Sequence, residues 1–289
     1  MSDVNMDGRQ LKQTWHSGTP SFGAWVTSTD AAIAAAVCNA GYDWVFVDAE
    51  HCPYGLEKLR EVIAAIRVRG VAPIVRVADN DAAIIKQVLD LGAEGVVVPL
   101  LLTADDAQRA VAACRYPPLG VRGFNPRDAS NYYQDLDHYR RTIDERVVVV
   151  VQVEHRDAVL NLDAILATAG IDAVLIGPAD LSYSLGFPLQ TRHPQVEEAI
   201  VTTIKKCNAA RVPVGIAVFG NTQDFMYWLD RGSPPPGRSQ GGGLNFITLG
   251  FDFDWVTQAG KNVLNEMRTA TAGRGTQSAY LCKGAEVRQ

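Results

Sequence analysis

Short apolar runs rich in Val, Ile and Phe recur along this 289-residue chain, and helix-like segments separate them. The run VVVVV, from Val147, has no polar side, which is typical of strands in a sheet that is covered on both faces. Runs that alternate with helices predict βα units and a parallel sheet. Eight runs fit this description, and they begin at Pro20, Trp44, Ala72, Gly95, Val147, Ala173, Pro213 and Phe246. Since eight βα units close a barrel, the chain is predicted to form a single (β/α)8 TIM barrel of the α/β class.

The segments between the runs carry helix signals of their own. In GLEKLREVIAAIRVRG the apolar residues recur at helical spacing, and Gly70 stands where a C-cap belongs. Thr103 and Asp106 have the spacing of a capping box, and Pro117 is placed to end that helix. These signals support the assignment of helices between the strands.

Two segments fall outside the pattern, and the barrel domain is therefore predicted to span residues 1–267. Residues 231–243 are rich in Pro and Gly, which predicts a mobile loop. This loop precedes the last strand, so it is expected at the end of the barrel where strands begin. Residues 268–289 form a small, polar tail, which is expected to be loosely ordered or to pack against another subunit.

The charge and composition of the chain exclude several classes of partner. The 27 basic and 32 acidic side chains are scattered and give a net charge of -5, so nucleic acid and membrane surfaces are not expected as partners. Without a signal peptide or an apolar run of about 20 residues, the protein is expected to be cytoplasmic. Its five cysteines contain no CxxC pair and are interpreted as reduced thiols.

Functional-looking side chains follow several of the predicted strands. Because the carboxyl ends of barrel strands share one rim, these side chains should meet there. They are Asp48, Glu50 and His51 after the second strand, Arg76 in the third, Glu154 after the fifth and Asp180 after the sixth.

Glu154 and Asp180 end two strands that should be neighbours. Two facing carboxylates repel each other unless one is protonated or a cation lies between them, and Mg2+ or Mn2+ would suit such oxygen ligands. The structural alternative is that Glu154 pairs with Arg156 while Asp180 only caps a helix.

Arg76 and His51 also allow two interpretations each. A guanidinium within the apolar run IVRV needs an anion, which is either a structural carboxylate or an anionic substrate. His51 is either an exposed loop residue or, beside Asp48 and Glu50, a general base. A Cys52 nucleophile is less favoured, because adjacent residues of an extended chain point to opposite faces.

Missing features narrow the chemistry further. No lysine lies within the predicted strands, so a Schiff-base mechanism lacks a nucleophile in the barrel interior. A Gly-rich phosphate loop after the last two strands and a GxGxxG motif are also missing. The substrate is therefore expected to be small, anionic and unphosphorylated.

Five blocks of the sequence resemble the HpcH/HpaI aldolase family. They are YDWVFVDAEHCPY, PIVRV, RYPPLGVRGF, VQVE and IGPADLSYSLG, and the resemblance extends from about Leu11 to Met267. It implies a barrel whose last helix is exchanged between subunits, in a homohexamer built as a trimer of dimers. It also implies a divalent metal ion, Mg2+ in the first place and Mn2+ or Co2+ as alternatives.

The resemblance implies roles for matching positions in this chain. Glu154 and Asp180 match metal ligands, and His51 matches an acid/base histidine that pairs with Asp90. Arg76 matches the arginine that polarises the keto oxygen of the substrate. The remaining assignments are Asp48 as a rim carboxylate, Gly177, Ala179 and Asp180 as a cradle for the pyruvate carboxylate, and Glu50 and Gln152 as supporting residues around the site.

The implied reaction cleaves a 4-hydroxy-2-oxo acid to pyruvate and an aldehyde, through an enolate that the metal stabilises. An alternative is a macrophomate-synthase-like enzyme, which forms the enolate by decarboxylating oxaloacetate and adds it to an acceptor. The loop FNPRDASNYYQDLDHY departs from the plain bacterial pattern and leaves the acceptor open. Lyases of coenzyme A thioesters would need a basic approach to the site, and a non-catalytic barrel would lack part of the metal pair, the arginine or the histidine; neither alternative is favoured.

Overall fold

The computed structural model describes residues 6–232 and 243–272 of the protein. Its strands form one closed parallel barrel in chain order, β1 to β8, and β8 pairs with β1. The predicted (β/α)8 fold is thereby confirmed. The strands are β1 Ser21–Val26, β2 Trp44–Asp48, β3 Ala72–Arg76, β4 Gly95–Val98, β5 Val148–Val153, β6 Ala173–Ile176, β7 Val214–Val218 and β8 Phe246–Phe251.

Helices follow the strands along the chain. In the described ranges they are α1 Gly8–His16, α2 Ala31–Asn39, α3 Leu56–Arg67, α4 Ala82–Asp90, α5 Ala104–Cys114, α6 Leu136–Arg146, α7 Arg156–Leu160, α8 Leu162–Leu166, α9 Pro178–Ser184, α10 Pro194–Ala210, α11 Thr222–Gly232 and α12 Asp252–Thr271. No helix in these ranges is long and apolar enough to cross a membrane.

The predicted helix boundaries are confirmed in one case and shifted in another. Thr103 and Asp106 form a reciprocal capping box at the start of α5, and this helix ends at Cys114, before Pro117. The C-cap of α3 is Val68, whereas Gly70 lies two residues further on with a φ of 74°. Glycine is suited to that left-handed conformation, which turns the chain towards β3.

Aromatic side chains close the amino-terminal end of the barrel. Trp15 of α1 is fully buried, stacks on Phe246 at 4.3 Å between ring centroids and meets Trp44 edge-on at 5.9 Å. Phe246 and Trp44 are the first residues of β8 and β2, so α1 lies across the beginnings of the strands. The opposite end, where the strands finish, is left for the site.

The chain divides into two compact units, one through Asp252 and one from Phe253 onward. Within the second unit, α12 continues through the predicted domain boundary at residue 267. Several large apolar side chains of this helix are exposed, namely Val256, Val263, Leu264 and Met267. Most of the predicted loop at 231–243 and residues 273–289 of the predicted tail lie outside the described residues.

Candidate active site

A cavity of about 360 Å³ lies where the barrel strands end, and its lining has two different sides. Polar side chains from β2, β3, β5 and the β6–α9 junction form one side, which we call the polar arc: Asp48, His51, Arg76, Gln152 and Asp180. The other side comes from β7, β8 and β1 and is called the aromatic arc: Trp25, Thr27, Ala217, Phe219 and Phe251. Since β8 pairs with β1, the aromatic arc is continuous around the barrel.

Arg76 is held in a fixed orientation by Asp48. Its Nε and Nη2 donate to the two carboxylate oxygens at 3.0 and 2.8 Å, and its guanidinium lies 4.5 Å from the ring centroid of Trp25. Burial acts to lower the pKa of Arg76, but the bond and charge of Asp48 outweigh it and the pKa rises. Burial acts to raise the pKa of Asp48, yet Arg76 lowers it overall. Both groups are therefore charged at neutral pH.

Glu154 follows β5 and is almost completely buried, with 3% of its surface exposed. Its Oε1 accepts from the backbone N–H of Leu100 at 2.9 Å, and its Oε2 accepts from Gln152 Nε2. Leu100 has a φ of 50°, a strained conformation for a branched residue, which aims its N–H at the carboxylate. The alternative pairing of Glu154 with Arg156 is not seen, because Arg156 lies 3.5 Å from Asp157 instead.

The pKa of Glu154 is raised to about 7, first by burial and then by the charges of Glu50 and Asp180. The N–H of Leu100 and the charge of Arg76 offset this only in part. The pKa of Glu50 is raised as well, by burial and by Asp48 and Asp180. Negative charge is thus concentrated in a place that excludes water, as a cation site requires.

The residues around Glu154 fit a hard divalent cation. Asp180 is the third residue of α9 and lines the cavity, whereas Glu154 borders it through contacts with Gln152 and Gly177. A Cβ on Gly177 would lie 2.9 Å from Glu154 Oε2, so glycine keeps this space open. Among the described residues, the buried Gln152 Oε1 has no hydrogen-bond donor.

The small number of carboxylates at this site favours an ion that needs few protein ligands. No cluster of three or more His, Cys, Asp or Glu side chains with metal-binding geometry occurs within residues 6–232 and 243–272. Two carboxylates, with water and substrate in the other positions, are a common arrangement for Mg2+.

His51 lies at the mouth of the cavity, and 65% of its side chain is exposed. Its Nε2 is 3.6 Å from Glu50 Oε2, and Glu50 is also 3.1 Å from Arg76 Nε. Cys52 Sγ lies 3.8 Å from Asp48, and burial together with that carboxylate raises the pKa of the thiol to about 11. Because a thiol with this pKa stays protonated, Cys52 is unsuited to be a nucleophile.

Asp90 was predicted as a site residue, but it lies in a different place from the cavity and from the network of Asp48, Glu50 and Arg76 beside it. It ends α4, and its Oδ1 accepts from Arg122 Nη2 at 2.6 Å. It lines a separate cleft of about 270 Å³ with Asn125 and Arg127. Within the described part of one protomer, no ion pair joins Asp90 to His51.

The aromatic arc is built on the barrel core. Phe251 and Ala217 are partly buried and pack against the core cluster, while Phe219 is 56% exposed at the mouth of the cavity. The rings of Phe219 and Phe251 meet edge to face at 5.3 Å between centroids. Trp25 is buried and packs edge-on against Phe46, which is a core residue. The arc is therefore a firm apolar surface.

A buried aspartate at the end of β8 fixes the loop after β1. Asp252 Oδ2 accepts from the backbone N–H groups of Thr27 and Ser28, at 3.0 and 2.8 Å, and its Oδ1 accepts from the Thr27 hydroxyl. Tyr54 donates its hydroxyl to the carbonyl oxygen of Ser28 at 2.5 Å. These bonds place Thr27 in the aromatic arc with its hydroxyl hydrogen already donated.

Comparison with known proteins agrees with this geometry, since residues 21–233 match the HpcH/HpaI aldolase/citrate lyase family. The chain belongs to this family. It is 38% identical over 255 residues to the hydroxypyruvate/pyruvate aldolase of Roseobacter denitrificans, covering 88% of this chain and 94% of that protein. It is 36% identical over 252 residues to the 2-keto-3-deoxy-L-rhamnonate aldolase of Salmonella dublin, covering 86% and 89%. The HpcH/HpaI resemblance and the expected enzyme class, a lyase of the class II aldolase type, are confirmed.

Solved structures of the HpcH/HpaI family have the same barrel. A family protein from Burkholderia cenocepacia matches with a TM-score of 0.81 and 32% identity, covering 90% of this chain and 99% of that chain. Macrophomate synthase matches with a TM-score of 0.78 over 96% and 94% of the chains, and its 21% identity shows a common fold only.

The sequence indicated the polar arc of this HpcH/HpaI member but missed the aromatic arc. Asp48, His51, Arg76 and Asp180 line the cavity, as their positions at strand ends implied, and Gln152, expected as a supporting residue, lines it as well. The aromatic side chains lie at the ends of β1, β7 and β8, on the same rim of the barrel. An apolar residue at a strand end looks like part of the core, so the sequence does not mark these side chains as part of a site.

Proposed function

We propose that the protein is a metal-dependent aldolase that interconverts a 4-hydroxy-2-oxo acid with pyruvate and an aldehyde through an enolate. The observation that carries this proposal is that Asp180, the fixed Arg76–Asp48 pair and the nearly buried Glu154, whose pKa is raised to about 7, surround or border one cavity. An unprotonated Glu154 needs a positive neighbour there. A 2-oxo acid needs positive charge beside its keto oxygen and its carboxylate.

Glu154 and Asp180 would hold the divalent ion, with Mg2+ as the first candidate and Mn2+ or Co2+ as alternatives. When bound, the ion supplies positive charge that polarises a keto oxygen. Gln152 supports Glu154 by donating to its Oε2. Together with the N–H of Leu100, this bond holds the carboxylate in one orientation.

Arg76 would stabilise the negative charge that develops on the keto oxygen. Asp48 grips two nitrogen atoms of its fork, and Trp25 packs against it, so the guanidinium is already oriented before the substrate binds. Groups oriented in advance stabilise a transition state without a cost of reorganisation. Glu50, 3.1 Å from Arg76 Nε, adds to the same network.

The substrate carboxylate would bind at the start of α9. Ala179 and Asp180 occupy its second and third positions, where backbone N–H groups have no acceptor within the helix. Gly177, the N-cap, allows close approach to this segment. The methyl carbon of pyruvate would then face the rest of the cavity.

His51 would move the proton of the 4-hydroxyl group. It is exposed at the cavity mouth and lies beside Glu50, which suits exchange of protons with solvent. The predicted pairing of His51 with Asp90 can then be a contact only between protomers. We accordingly propose a homo-oligomer, with a hexamer of exchanged last helices as the expected form, and the exposed apolar residues of α12 support such association.

Decarboxylation of oxaloacetate is the second candidate reaction. It gives the same enolate while consuming no base. The observation in its favour is that, among the residues the structure describes, Glu50 is the one carboxylate beside His51 and Asp90 pairs with Arg122 instead.

The proposal is tested by exchange of the methyl protons of pyruvate in heavy water, followed by NMR. Exchange should require Mg2+ or Mn2+, stop with a chelator and vanish in Glu154→Ala. Glu61→Ala is the matched control, since Glu61 is exposed and pairs with the neighbouring Lys58, away from the cavity. Metal-independent exchange, or full exchange in Glu154→Ala, would contradict the metal-dependent mechanism.

Consumption of oxaloacetate without exchange of pyruvate would favour the second reaction. Inactivity towards both compounds would overturn the enolate assignment.

A further inference from the structure

We propose that the aromatic arc is an acceptor subsite for an aldehyde that carries an aromatic or long aliphatic group. This inference rests on the proposed enolate function and adds the chemical class of the second substrate. The arc is the side of the cavity that the polar arc leaves free, so an acceptor that meets the enolate contacts it.

The shape and rigidity of the arc fit a flat or apolar group. Phe219 and Phe251 present two rings at nearly a right angle, 87°, and Ala217 of β7 is small enough to leave space beside them. Phe251 and Ala217 rest on the barrel core, so the surface exists before a ligand binds. An edge-to-face aromatic pair of this kind accepts a third ring or an alkyl chain.

The arc offers few partners to a polyhydroxylated aldehyde. The hydroxyl hydrogen of Thr27 is donated to Asp252, and Ala217, Phe219 and Phe251 have no polar side-chain atoms. Trp25 Nε1 is buried and has no acceptor among the described residues, so it is closed off from the cavity as a donor to further hydroxyl groups. Thr27 Oγ1 can still accept one bond, but the other hydroxyl groups of a sugar-like acceptor would lose water beside apolar side chains without gaining a partner there, and this penalises such an acceptor.

The addition step fits this division of the cavity. The enolate carbon, held on the side of Arg76, donates its electron pair to the carbonyl carbon of the aldehyde, and a carbon–carbon bond forms. An electron pair on the enolate oxygen restores the keto group, and the π pair of the aldehyde carbonyl moves to its oxygen, which takes a proton that His51 donates, the reverse of removing it from the 4-hydroxyl group. The substituent of the aldehyde then points towards Phe219 and Phe251.

The test compares phenylacetaldehyde with glyceraldehyde as acceptors for pyruvate, using the full-length protein with Mg2+. Addition is measured together with exchange of the pyruvate methyl protons, which reports enolate formation without an acceptor. The wild-type protein should favour phenylacetaldehyde by about tenfold or more in kcat/KM. Phe219→Ala should lower this preference about tenfold, because the ring at the cavity mouth is lost.

Phe22→Ala is the matched control, since Phe22 is also exposed, at 41%, but lies at the beginning of β1, on the opposite end of the barrel. It should leave the preference unchanged. Two results would overturn the acceptor subsite alone. One is normal exchange in the wild-type protein together with a preference for glyceraldehyde, and the other is an equal preference in Phe219→Ala and Phe22→Ala. Lack of exchange in the wild-type protein would overturn the enolate function and the subsite with it.

Discussion

The polar and aromatic arcs of the cavity differ in how the chain holds them. In the polar arc, charged groups are fixed by each other, as in the two bonds between Arg76 and Asp48. In the aromatic arc, Phe251 and Ala217 are fixed by packing on the core, and Asp252 ties the adjacent loop. The difference teaches that two parts of one rim can have separate roles, one in forming the enolate and the other in binding the acceptor aldehyde. A change in the polar arc should therefore alter enolate formation, and a change in the aromatic arc should alter the choice of acceptor.

Replacement of Arg76 should have the largest effect on the polar arc. Arg76→Ala should slow pyruvate exchange by about 10³-fold, because the keto oxygen loses its fixed positive partner. It should also destabilise the fold, by about 3 kcal/mol, since Asp48 is left buried and unpaired. Exchange rates and thermal unfolding would measure the two effects.

Arg60→Ala is a suitable control for Arg76, as Arg60 pairs with Asp128 at a partly exposed position. Near-normal exchange in Arg76→Ala would show that the polar arc does not stabilise the enolate through this residue. Arg76→Lys should remain impaired, because an ammonium group cannot form the two-pronged bond to Asp48.

Replacement of Glu154 should stabilise the metal-free protein while it removes activity. The folded-state pKa of about 7 exceeds the usual value of 4.5, so the folded state binds the proton more tightly than the unfolded chain does. The associated stability is fully present below pH 4.5 and is lost as the pH rises to 7. At pH 8 with a chelator, Glu154→Gln should therefore raise the free energy of unfolding, by up to about 3 kcal/mol.

Denaturant unfolding at two pH values would measure this effect. The gain from Glu154→Gln should shrink at pH 5, where Glu154 is protonated in the folded protein. Glu61→Gln, at an exposed position, should change stability little at either pH. A loss of stability in Glu154→Gln at pH 8 would contradict the account of a strained, ionised carboxylate.

Replacement of Asp252 should have the smallest effect and should act on the aromatic arc. Asp252→Asn turns one acceptor oxygen into a donor that faces the N–H groups of Thr27 and Ser28 or the hydroxyl of Thr27. The free energy of unfolding should fall by about 1–3 kcal/mol. The rate of aldehyde addition should also fall relative to the rate of pyruvate exchange. The reason is that the loop after β1, which Asp252 fixes, would shift beside the acceptor.

Urea unfolding and the two rate measurements would test this prediction, with the exposed Asp137→Asn as a control. If Asp252→Asn lowered only the exchange rate and left the acceptor preference unchanged, the proposed division of roles between the two arcs would be wrong.

The sequence predicted the fold and the polar arc because both leave local signals. Alternating runs and helices identify the barrel, and a charge such as Glu154 at the end of an apolar strand stands out. Phe219 and Phe251 carry no such signal, because an apolar residue at a strand end belongs equally well to a core or to a cavity wall. Similarly, the Arg122 partner of Asp90 lies 32 residues away along the chain, and only the folded structure brings the two together.

The central claim, that the polar arc holds the enolate while the aromatic arc receives the acceptor, is tested most directly by diffraction from crystals grown with Mn2+ and pyruvate. We predict an anomalous peak about 2.0–2.3 Å from carboxylate oxygens of Glu154 and Asp180. The pyruvate carboxylate should lie at Ala179 and Asp180, with its methyl carbon directed towards Phe219 and Phe251. Manganese bound elsewhere, or pyruvate with its methyl carbon turned away from the aromatic arc, would contradict the account.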